Sequence, residues 1–141
     1  MKKMMLAILA IAFANAMSFA QTKVPDAVTA AFKQKFSHAS KVQWDKENSK
    51  EYEAEFETNG VSYSANFSNT GAWLETESPT SFSQLPSNVK QAFNTGHKGA
   101  VVKSVSKIET SKGVNKYELE VKKGVSTIEY FYNNRGQEIK E

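Results

Sequence analysis

The chain opens twice. "VPDAVTAAF" (24–32) and "LPSNVKQAF" (85–93) align position for position: Val24-Pro25, Val28, Ala31 and Phe32 against Leu85-Pro86, Val89, Ala92 and Phe93. The correspondence continues downstream. "YEAEF" (52–56) matches "YELEV" (117–121), and "SYSANFSNTG" (62–71) matches "TIEYFYNNRG" (127–136). The offset grows by about four residues between the helical and strand matches, which places an insertion in the loop or first strand. A repeat of roughly 55 residues is one supersecondary unit, so the two halves must adopt the same fold.

Within each half the hydrophobic period changes where the elements should change. Val28, Phe32 and Phe36, with Ala31 beside them, recur at helical spacing. Pro25 suits a first helical turn, and Asp26 complements the positive end of the helix. Val89, Ala92 and Phe93 repeat the stripe in a short second helix, with Gly96 as its C-terminal stop. The period then drops to two. "KVQWD" puts Val42 and Trp44 on one side, and "EYEAEFE" turns Tyr52, Ala54 and Phe56 to one face and Glu51, Glu53, Glu55 and Glu57 to the other. After a "TNG" turn, "VSYSANFS" points Val61, Tyr63, Ala65 and Phe67 inward, and "AWLETE" supplies a fourth strand.

The second half reads the same way through "VVKSVSKIE", "NKYELEVKK", "VSTIEYFY" and "QEIKE". Its aligned register places Ile128, Tyr130 and Tyr132 toward the core and leaves Thr127, Glu129 and Phe131 facing water. "TESPTSFSQLP" has the Ser, Thr and Pro content of a connector between the halves. One helix on four strands buries little core, and joining two such sheets side by side removes two open edges. The expected fold is therefore α+β: a tandem repeat (24–77 and 85–141) of helix plus four antiparallel strands. It forms one two-layer domain over 21–141, with both helices on one face of an eight-stranded sheet.

The first residues, "MKKMMLAILAIAFANAMSFAQ", have the charged, apolar and small-residue grammar of a secretory signal, assigned here to 1–20. The apolar run is shorter than the roughly 20 residues of a spanning helix, and no cysteine offers a lipid anchor. A periplasmic or secreted protein is expected. Of 18 Lys+Arg, Lys2 and Lys3 leave with the signal; against 15 Asp+Glu the mature chain is close to neutral. That balance argues against a nucleic-acid partner, which requires a phosphate-neutralising surface. With no cysteine there is no disulfide framework or thiolate metal site.

The repeated [V/L]P-x-x-V-x-x-A-F, the Val-x-Trp strand start, the Y-x-A-x-F…G…Y-x-A-x-F…G-x-W series and the signal segment together resemble the PepSY-like proteins of Bacteroidetes. That family's name also records a likeness to β-lactamase-inhibitor protein. The resemblance covers essentially the whole mature chain. It implies the tandem helix-plus-four-strand sheet, a small envelope or secreted protein, and no established catalytic activity. The second half departs from the pattern where Glu138 or its neighbour stands in place of Trp73.

No catalytic constellation is legible. His38 and His97 stand at pseudo-equivalent places just after the two helices, where the helix dipole favours histidine without any ligand role. No partner of a triad or metal site surrounds either one, and no cofactor is expected. The Glu51, Glu53, Glu55, Glu57 row is the strongest charge feature. Same-face side chains lie roughly 6.5–7 Å apart, too far for all four to hold one ion. A solvated face with Lys116 and Lys122 on nearby strands is the simpler expectation. The candidate contact surface for another envelope or secreted protein is this open sheet face: Glu51, Glu53, Glu55, Glu57, Trp73, Glu129 and Phe131, with Phe131 as exposed aromatic anchor. The function expected is binding, in its specific form inhibition. The alternative is a periplasmic small-ligand or metal-ion sensor.

Overall fold

The computed structural model describes residues 22–140; the expected signal segment lies outside them. Helix α1 (Asp26–Lys35) is followed by β1 (Ser40–Asp45), β2 (Glu51–Thr58), β3 (Val61–Ser68) and β4 (Trp73–Thr80). A 3₁₀ turn (Phe82–Gln84) leads into α2 (Ser87–Gly96), β5 (Val101–Thr110), β6 (Asn115–Lys123), β7 (Ser126–Asn133) and β8 (Glu138–Ile139). All eight strands form one antiparallel sheet in chain order.

Each helix begins one residue after its proline, which caps it instead of entering the first turn. Pro25 caps α1 with φ −58°, and its carbonyl accepts from the amides of Val28 and Thr29. Pro86 does the same for α2 with φ −53°, its carbonyl accepting from Lys90. The second helix is short, and the first is equally so; both have 10 residues. Gly96 is its last residue, and the left-handed turn falls later, at Gly99. The inserted residues lie in the first strand, since β5 has 10 residues and β1 has 6.

Alternation decides what is buried. Tyr52, Ala54, Phe56, Ala65 and Phe67 pack beneath Val28 and Phe32, with the Phe32 ring edge-on to Phe56 at 5.1 Å and to Trp44 at 5.2 Å. Leu119, Val121, Val105 and Tyr132 receive Leu85, Val89 and Phe93 in the second half. Each fully buried large side chain contributes about 1.5–3 kcal/mol. The sheet is continuous, but the core beneath it gathers into two clusters, one per helix.

The join lies where the sequence reads as connector. Residues 76–80 continue β4, which pairs with β5 from Glu75↔Thr110 to Thr80↔Val105. Pro79 lacks an amide donor, yet it sits in this central ladder opposite Ser106. It is tolerated because the β3–β4 pairing already ends at Ser64↔Glu77, so Pro79 has a ladder partner on one side only.

One glycine in each half lets the sheet press against its helix. Gly71 (φ +88°) and Gly136 (φ +77°) sit in the equivalent β3–β4 and β7–β8 turns. A Cβ there would lie 2.6 Å from the Ala27 carbonyl oxygen and 2.7 Å from that of Asn88. Both turns press against the first turn of a helix, and Asn88 Nδ2 donates to the Asn134 carbonyl across the second contact. Gly71→Ala and Gly136→Ala are each expected to cost about 2–4 kcal/mol, combining backbone strain with a backbone clash. Gly60→Ala and Gly124→Ala, at positive φ in open space, should cost about 1 kcal/mol. Denaturant unfolding of the four variants measures the difference; equal losses would show that helix contact is not what these turns require.

Candidate binding face

Both helices lie on one side of the sheet, and strand parity fixes what the other side shows. Glu51, Glu53, Glu55 and Glu57 alternate with the buried Tyr52, Ala54 and Phe56, as expected. The register sets Asp45 beside Glu53 and Gln43 beside Glu55 on one flank. On the other stand Asn66 beside Glu53 and Ser64 beside Glu55, then Glu75 and Glu77 beyond them. Glu118, Glu120 and Glu129 share the face in the second half. Ten of the chain's fifteen acidic residues therefore stand on one side of one sheet.

Cations reach this face at few points. Lys41 Nζ lies 2.9 Å from Glu57 Oε2, and Lys116 Nζ 3.4 Å from Glu75 Oε2. Lys41 reaches in from a bulge where its own φ is +53°. Asn48 Nδ2 donates to Glu51 Oε2 at 3.0 Å. Glu53 is a crowded, partly buried carboxylate. Burial pushes it from its ordinary 4.5 up to about 7; a hydrogen bond from Ser64 opposes that, and Glu55, Glu47 and Glu77 add to it. Burial, and then Asp45, also raise Glu55.

The second half of the face is closed over by its own side chains. Phe131 does lie on this side by parity, but it is only 9% exposed, held between Glu118 on β6 and Ile139 on β8. It does not face water, and it is not a free aromatic anchor. Ser106, Ile108 and Glu118 are buried beside it. Glu118, Glu120 and Glu129 bring carboxylate oxygens within 4.8 Å of one another, with Ser104 Oγ donating to Glu120. Cross-strand stacking of Glu120 on Glu129 creates this group. Spacing along a single strand gives no sign of it.

Trp73 belongs to the other side. A register shift between Asn66 and Phe67 brings it opposite Phe67, on the helix-facing side. There Lys35 Nζ sits 3.7 Å above its ring, and its indole donates to Thr76 Oγ1. The position equivalent to Trp73 is Glu138, opposite Tyr132. Tyr132 donates to Glu138 Oε2 at 3.2 Å, and His97 Nε2 approaches the same oxygen at 3.3 Å. Burial first, then Glu138, raises the Tyr132 hydroxyl, keeping it a donor. His97 packs against Tyr130, the ring centroids 3.8 Å apart and the planes tilted by 40°. Its counterpart in the first half is Phe36, not His38: both end their helices with an amide bonded to the phenylalanine four residues before. The sequence alone gave no reason to join His97, Tyr132 and Glu138.

Two overlapping segments, residues 13–62 and 50–140, match the family model described as "Putative beta-lactamase-inhibitor-like, PepSY-like". The fold is similar to that of a DUF2874 family protein from Bacteroides ovatus, at 26% identity and TM-score 0.71 over 84% of this chain and 86% of that one. It is similar to a crystal structure named "putative periplasmic" from Bacteroides eggerthii, at 20% identity and TM-score 0.75 over 84% and 87%. A BLIP-like protein from Bacteroides fragilis aligns at 21% identity and TM-score 0.66 over 84% of each chain. No curated protein matches by sequence.

The burial and crowding of Glu53 make a prediction. The folded chain holds this proton up to about pH 7, whereas the unfolded chain releases it near 4.5. The folded state therefore binds more protons between those values, and stability falls as pH rises through that window. Glu53→Gln should raise Tm by a few °C at about pH 8 and leave it unchanged below about pH 4. Thermal unfolding at both pH values tests this; an equal shift at each would show that ionisation of Glu53 is not the cause.

Proposed function

The chain belongs to the PepSY-like, β-lactamase-inhibitor-like family, and from that premise we propose that it is an exported, non-catalytic binding protein that docks another envelope or secreted protein on its open sheet face. One observation carries the reading: the two helices cover one side of an eight-stranded sheet, and no other element among the described residues covers the opposite side. The BLIP-like neighbour supports a binding role at the level of fold. The N-terminal signal grammar and the neighbour named periplasmic support export, and no described helix is long and apolar enough to cross a membrane. Inhibition of an enzyme is the specific form that the inhibitor-like family description favours.

The geometry supports a narrower contact set than the sequence does. Glu51, Glu53, Glu55 and Glu57 with their β3 and β4 neighbours form the accessible half. Glu129 lies at the edge of the closed half, and Trp73 and Phe131 leave the set. Arginine placed at Ser64 or Glu77 is expected to abolish co-purification of the native partner from envelope fractions. Gln34→Arg, on the exposed side of α1, should leave it intact. Capture lost only with Gln34→Arg would move the contact to the helices.

A second reading, divalent-cation binding, has one observation in its favour, the convergence of Glu118, Glu120 and Glu129. It predicts a Tm rise with millimolar Ca²⁺ that Glu120→Gln removes, as ligand linkage requires. A melting temperature indifferent to Ca²⁺ excludes it.

A further inference from the structure

We propose that the occupant of the open face is an extended, strand-like protein segment carrying lysine or arginine at alternate positions, laid along β2. The inference rests on the docking reading above and specifies the partner's chemistry. Three observations carry it. The first is segregation of charge: a mature chain close to neutrality gathers ten of fifteen acids on one side of its sheet, so the basic residues lie mostly elsewhere. Among the described residues, Glu53 and Glu55 have no ion-pair partner, while Lys41 is engaged by the neighbouring Glu57.

The second is spacing. Side chains on one face of β2 repeat every roughly 6.5–7 Å, the same repeat that an extended partner presents on one of its own faces. Alternate cations therefore fall opposite successive carboxylates in register, and a compact ion cannot span the row. The third is accessibility. The face is closed by Phe131, Ile108 and Glu118 in the second half, whereas Glu55 and the flanking Gln43 and Asp45 are exposed. Like charges crowd Glu53 from its own strand (Glu55), from the loop before it (Glu47) and from β4 across the intervening β3 (Glu77). A partner's cation relieves that repulsion, so complementarity favours the docked state and speeds encounter.

The test measures binding of the purified protein to a short synthetic peptide of alternating lysine and threonine. A peptide with the same lysines in one block, spermine and Ca²⁺ serve as comparisons. The alternating peptide is expected to bind most tightly, to weaken with added salt, and to lose about tenfold in affinity with Glu53→Gln/Glu55→Gln. Asp26→Asn/Glu109→Gln removes the same charge away from the face and should change affinity less than about twofold. Equal losses in the two double variants would overturn the proposal, since only net charge would matter. Equal binding of the block peptide would overturn the in-register strand, and competition by spermine or Ca²⁺ at matching affinity would replace the protein segment with a small cation. Concentration-dependent self-association abolished by the same face variants would make the occupant a second copy. If the native partner is lost with Ser64→Arg but retained with Glu53→Gln/Glu55→Gln, the cationic segment fails and the docking face stands. If Ser64→Arg has no effect, the docking face itself fails.

Discussion

The β4–β5 ladder is the contact on which the rest depends. One helix over four strands encloses a single small cluster, Val28 to Phe67 in the first half and Leu85 to Tyr132 in the second. Neither cluster reaches across the midline. What unites them is backbone pairing, from Glu75↔Thr110 to Thr80↔Val105, which removes two strand edges that would otherwise seek partners. The pairing also sets the sense of the whole molecule. Because the ladder carries parity unbroken from β4 to β5, both helices fall on one side and the polar residues of both halves on the other. A sheet of eight strands with a single covered face is the outcome.

Parity then turns a local pattern into an electrostatic surface. An alternating run of glutamates on a lone strand is a solvated edge. Set beside Asp45 on one flank, and beside Glu75 and Glu77 across the intervening Ser64 and Asn66, it becomes a field of like charge. The small polar side chains of β3 separate the acidic strands, and Ser64 bonds directly to Glu53. Lys41 and Lys116 offset part of the repulsion at the margins. Burial raises the proton affinity of Glu53, and the like charge that these lysines leave uncompensated adds to it.

The two copies of the unit have diverged most at one corner, where the helix ends over its last strand. In the first half Phe36, Phe67 and Trp73 make it aromatic, with Lys35 above the indole. In the second half His97, Tyr132 and Glu138 occupy the corresponding places and exchange ring packing for hydrogen bonds. The glycine turn beneath each helix start is kept in both copies. Backbone contact there leaves no room for a side chain, whereas the corner tolerates either chemistry if its polar groups find one another.

Much of the architecture was legible because helix and strand periods are local properties of the chain. The duplicated opening, the alternation in "EYEAEFE" and the turn glycines named both helices, the eight strands and the inward face of β2 and β3. Composition misled at "SPT", since only the register shows that Pro79 lacks a partner on one side and can stay in a central strand. Trp73 and Phe131 were misjudged for related reasons. A bulge next to Phe67 shifts parity for Trp73, and the bulk of Glu118 and Ile139 on adjacent strands covers Phe131. The sequence by itself determined which residues alternate and therefore which could share a face. The tertiary structure alone decided which strands lie side by side, and so which carboxylates crowd, which aromatic is covered and where His97 meets Glu138. Those neighbours are far apart along the chain, and hydrogen-bond register, not covalent spacing, brings them together.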